Sequence, residues 1–107
     1  MTNVLKIFTD QALDGNSLEF TIDQVEPMYK QDPFIGITGE FGGATVKLQW
    51  NNPDNVWSNT DPVNDIWTDV VQFPVFMNSF SKYRLNISNA GVSTNINAWV
   101  FGGKAAD

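Results

Sequence analysis

At 107 residues the chain has room for a single domain with its own hydrophobic core. It contains no cysteine and no histidine, which excludes disulfides, thiolate chemistry, the commonest general base and the commonest metal ligand. Six basic against twelve acidic residues leave a net charge of −6, which repels phosphates and argues against a nucleic-acid partner.

The first residues, MTNVLKIFTD, lack the basic flank and apolar core of a signal peptide. No apolar run approaches the ~18 residues that span a bilayer, so no membrane partner is expected. Residues 1–17 read as an N-terminal arm or a first strand. After the turn signal LDGNS, the stretch SLEFTID alternates Leu18, Phe20 and Ile22 with Glu19, Thr21 and Asp23. PFIGITGEF sets Ile35, Ile37, Gly39 and Phe41 on one face. Gly42 and Gly43 come next, and ATVKLQW behind them has a two-residue period, with Ala44, Val46, Leu48 and Trp50 on one side and Thr45, Lys47 and Gln49 on the other. With no helix following, there is no helix N-terminus to hold a phosphate. The glycine pair is expected to supply positive φ at a hairpin or bulge.

NNPDN is a turn, and Val56 to Asp65 a polar loop with a second turn, NTDPVND. Residues 61–71 could hold one helical turn at most. The run IWTDVVQFPVF is irregular, and Pro74 consigns its second half to an edge or a loop crossing. KYRLNIS alternates Tyr83, Leu85 and Ile87 with Lys82, Arg84, Asn86 and Ser88; NAG turns the chain, and STNINAWVF is the last strand. Short strands at this spacing, without a helical period, predict one all-β domain over residues 1–107. The expected form is a jelly-roll-like β-sandwich of about seven or eight antiparallel strands. The shared period places Val46, Leu48 and Trp50 in one core with Tyr83, Leu85 and Ile87.

Three features could carry chemistry. Asp54, Asp61, Asp65 and Asp69, with Asn51, Asn52, Asn55, Asn59 and Asn64, form an oxygen-rich run such as calcium uses. The spacing is not that of an EF-hand, and turns demand the same residues for backbone reasons, so no metal or cofactor is expected. Glu19, Glu26 and Glu40 offer carboxylates of the kind a glycosidase pairs. Without His, Cys or a nucleophile motif, the expectation is that the chain is not an enzyme, and no catalytic residue is assigned. The third feature is aromatic: four Trp and eight Phe. In STNINAWVF the row Ile96, Ala98 and Val100 leaves Asn95, Asn97, Trp99 and Phe101 on the other face. Trp99, Phe101, Trp57 and Trp67 are therefore the candidate contact residues, for a protein partner or for a sugar ring stacking on indole.

GEFGGATVKLQW, then Trp57 after a short turn, then YRLNISNAGVSTNINAWVF, resembles small virion proteins of tailed phages over roughly residues 36–101. The resemblance implies a compact β-sandwich of the capsid decoration (cement) or head-fibre type. It implies a non-enzymatic structural protein on the capsid exterior, made in the host cytoplasm. Its partners would be the major capsid protein or other virion proteins, and further copies of itself as a homo-oligomer. A head-fibre, neck or tail component is the runner-up, and a carbohydrate-binding module using exposed Trp the reading from a different class.

Overall fold

A computed structural model describes residues 4–22, 34–61, 63–74 and 81–106, with the backbone alone over 71–74. Asp23 and Glu26, and residues 75–76 of the irregular apolar run, lie outside the described residues. The strands are β1 (Val4–Gln11), β2 (Gly15–Asn16), β3 (Phe20–Ile22), β4 (Phe34–Glu40), β5 (Thr45–Asn51), β6 (Trp57–Asn59), β7 (Ile66–Trp67), β8 (Val71–Pro74), β9 (Lys82–Ser88), β10 (Asn95–Phe101) and β11 (Gly103–Ala105). No helix occurs among the described residues.

The strands form two antiparallel sheets. A small sheet runs β1-β10-β4-β8, and a large one runs β11-β3-β9-β5-β6 with β2 beside β9 and β7 beside β5. Eight of the strands make the frame of a long hairpin folded over on itself. β5 pairs with β6, β4 with β8, β3 with β9 and β1 with β10. Wrapping that hairpin sets β10 beside β4 and β9 beside β5, which is the jelly-roll arrangement. Pro74 ends β8 at the edge of the small sheet, the place in a sheet where proline is tolerated.

Alternation decides which side chains fill the space between the layers. β9 and β10 bury every second residue. The small sheet contributes Ile35, Ile37, Ile96, Ala98 and Val100; the large one contributes Phe20, Ile22, Val46, Leu48, Tyr83, Leu85 and Ile87. Trp50 packs partly buried against them. β1 departs from the period: two register shifts against β10 let Ile7 and Phe8 both turn inward. Bulges of this kind twist an edge strand away from further pairing.

Several expectations meet competing forces. Leu18 is 47 % exposed rather than inward. β2 and β3 both pair with β9, but the step from Asn16 to Phe20 is one residue longer than that from Asn86 to Tyr83, so the chain bulges here. Ser17 takes the buried place, donating its N–H to the Leu85 carbonyl (2.8 Å) while its Oγ accepts the Leu85 N–H (2.9 Å). Gly39 is exposed with φ 108, so the inward row of β4 stops at Ile37 and resumes at Phe41. The polar stretch 56–65 contains β6, and its second turn closes with one helix-like bond from the Asp65 N–H to the Asp61 carbonyl (3.1 Å).

Gly42 and Gly43 have φ of 57 and 93, and the Ala44 N–H donates to the Phe41 carbonyl (2.9 Å). These are the features of a type I′ turn. The turn carries the chain from one sheet to the other instead of closing a hairpin within one. It is pinned to the 89–94 turn by Thr94, whose buried hydroxyl donates to the Phe41 carbonyl (2.7 Å) and accepts the Gly91 N–H (2.8 Å). Thr94→Val keeps the shape but takes the acceptor from the Gly91 N–H and one of two donors from the Phe41 carbonyl. It is expected to cost about 1–3 kcal/mol in urea unfolding, whereas Ser93→Ala, at an exposed neighbour, should cost little.

Candidate functional site on the outer sheet faces

The described carboxylates do not converge. Glu19 lies at the large sheet, 3.7 Å from the Lys82 ammonium, and Glu40 ends β4 in the small sheet. The aspartates of the 52–70 stretch serve its turns. Asn52 Oδ1 accepts the N–H groups of Asp54 and Val56 (both 3.0 Å). Asp61 Oδ1 accepts those of Val63 (2.9 Å) and Asn64 (3.1 Å), Asp65 accepts the Thr60 hydroxyl, and Asp69 accepts the Val70 N–H. The Val63 N–H, then the Asn64 amide and N–H, hold the Asp61 carboxyl below its ordinary value. Among the described residues no three acidic groups come together as metal ligands would. A chelator is expected to leave the melting temperature unchanged, since no bound ion would contribute linkage stabilisation. A rise of several degrees on adding calcium would make Asp54, Asp61 and Asp65 ligands after all.

Register then places the four candidate aromatics. Directly opposed residues in an antiparallel pair share a face. Trp67 opposes Val46, an inward residue, and is accordingly 8 % exposed in the core. The expectation that Trp67 lies outward is thereby corrected. Trp57 opposes Asn51 on the outer face of the large sheet. The Arg84 guanidinium lies 4.3 Å from its ring centroid, held by a bond from Arg84 Nε to Gln49 Oε1 (3.0 Å); Gln49 in turn donates to Asn59 (3.2 Å). One face of the Trp57 indole is thus occupied by a cation.

Trp99 and Phe101 stand together on the outer face of the small sheet. Phe101 is flanked by Val4 and Phe34, and Trp99 by Lys6 and Gly36. The Phe34 and Phe101 rings meet edge to face at 6.5 Å, the Lys6 ammonium lies 5.2 Å from the Trp99 centroid, and Val4 is 51 % exposed. Gly36 adds no side chain between the rings; a Cβ there would come within 3.7 Å of the Phe101 ring. The result is a half-exposed aromatic patch across three strands. Sequence reasoning found its two β10 members and missed Val4, Lys6 and Phe34, whose membership depends on cross-strand pairing that no local pattern reports.

Fold and faces together define an all-β jelly-roll sandwich. No family model, curated protein or solved structure matches the chain.

Proposed function

We propose that the chain is a non-enzymatic structural protein of a phage virion, a capsid decoration protein that seats the outer face of its small sheet on the major capsid protein. The observation that supports this reading is the Val4–Phe101–Phe34 row lying beside Trp99. Clustered apolar surface of this kind marks a contact site, and the phage-like pattern over residues 36–101 supplies the virion context. Repetition on a symmetric shell would multiply a modest contact into firm attachment.

The carbohydrate-binding reading is less well supported, because stacking a sugar needs an open indole face. Trp67 is in the core, and Arg84 lies over Trp57. A head-fibre, neck or tail position would use the same patch and differs only in where the protein is found.

Trp99→Ala should leave the melting temperature of the free protein nearly unchanged. It should weaken co-sedimentation with particles lacking the protein by roughly 30-fold, the equivalent of ~2 kcal/mol for a central aromatic anchor. Unfolding of the variant would assign Trp99 to the core, and wild-type binding would move the interface elsewhere. Labelling of the neck or tail instead of the shell, in micrographs of virions treated with antibody to the protein, would replace decoration by the runner-up.

A further inference from the structure

The cations of this acidic chain are unevenly placed. Of its six, Lys47, Lys82, Arg84 and Lys104 stand on the outer face of the large sheet. The ladders carry them side by side: Lys104 and Lys82 both oppose Thr21, Arg84 opposes Gln49, and Lys47 opposes Asn86. Asn16, Asn51 and Asn59 complete a face of amides and cations. Glu19, against Lys82, is the carboxylate paired there. The other described residues include one cation, Lys6, and seven acids. The sharpest contrast lies between positions 48 and 81, which carry Asp54, Asp61, Asp65 and Asp69 and no Lys or Arg at all. Those turns project at the β6 and β7 side of the large sheet, beside the exposed Val56, Val63 and Val70.

We infer that the cationic outer face of the large sheet docks the acidic turns at Asp54, Asp61 and Asp69 of a second copy of this chain. The complementary charge is on the same molecule, so a like copy supplies both halves. The two surfaces differ, which makes the contact head-to-tail; repeated, it closes into a ring or extends as a row. Opposed potentials of this kind set orientation and partner choice. The contact uses neither Trp99 nor Phe101 and stands independently of capsid attachment through the small sheet.

The experiment is sedimentation of the full chain at about 0.01 M and about 1 M ionic strength, between which the screening length changes about tenfold. Self-association is expected at low salt and should weaken at least ~10-fold at high salt, since exposed pairs are screened. Lys47→Glu and, at an exposed position, Lys104→Glu should each weaken it, as should Asp54→Lys. Mixing Lys47→Glu with Asp54→Lys should restore a salt-sensitive complex that stops at two chains, because only one intact face meets one intact set of turns. A monomer at low salt and high concentration would overturn the inference. So would self-association indifferent to all three reversals but abolished by Trp99→Ala, which would assign it to the small sheet. Loss of particle binding by Trp99→Ala with self-association intact would separate the two surfaces.

Discussion

Leu48→Ala and Leu85→Ala should each lower the unfolding free energy by about 2–5 kcal/mol, the range for large-to-small changes in a well-packed core. Both side chains are fully buried, and they oppose one another at the centre of the β5·β9 ladder. Around them lie Val46, Ile87 and Tyr83 from the same sheet, with the isoleucines of β4 and β10 supplied by the facing layer. Backbone hydrogen bonding pins both strands, so the site has little freedom to collapse around the lost atoms. Since the pair is in contact, the double variant should depart from the sum of the singles by ~0.5–3 kcal/mol. Urea unfolding with an unchanged m-value is the measurement, and near-zero loss at both positions would sink the register.

Gly39→Ala is expected to be comparably severe, for a reason of backbone rather than volume. Gly39 has φ 108, and a Cβ there would lie 2.1 Å from the carbonyl oxygen of Asn95 on the paired strand. Neither partner is a flexible side-chain end, so relief requires moving β4 away from β10. Strained dihedrals alone cost of order 1–3 kcal/mol, and the clash adds to that. Gly43→Ala is the internal control. It also has positive φ, 93, but nothing lies within 4 Å of the added methyl, so it should show about 1–2 kcal/mol of conformational cost only. Equal losses at Gly39 and Gly43 would mean that the close approach to Asn95 is absent.

What the sequence made legible was periodic. β5, β9 and β10 alternate cleanly, so their inward rows and the outward set Trp99 and Phe101 could be read residue by residue. β6 and β7 are three and two residues long, too short for any period to appear, so nothing local to Trp67 reports that it opposes Val46 and is buried. β1 is unreadable for the opposite reason: its bulges bury Ile7 and Phe8 side by side and break the alternation. Leu18 has the right spacing for the core, yet one extra residue between Asn16 and Phe20 shifts the register against β9 there, and a serine hydrogen bond outweighs the pattern. The aromatic patch and the cationic face are assembled by β1·β10·β4 and β3·β9·β5 pairings between distant residues. Local sequence supplies the members of each face but not their neighbours.

The pairing of Val4 with Phe101 also governs when the protein can fold. The inner hairpins β5·β6 and β4·β8 can form early, but β10, the strand between β1 and β4, begins 55 residues after β4 ends (Asn95 against Glu40). At ~5–20 residues per second, translation leaves Ile35 and Ile37 without their β10 neighbours for several seconds. Such non-local closure is also intrinsically slow once the chain is free. During that interval the edges of β4 stand open, and unpaired edges are where one chain can pair with another instead of with itself.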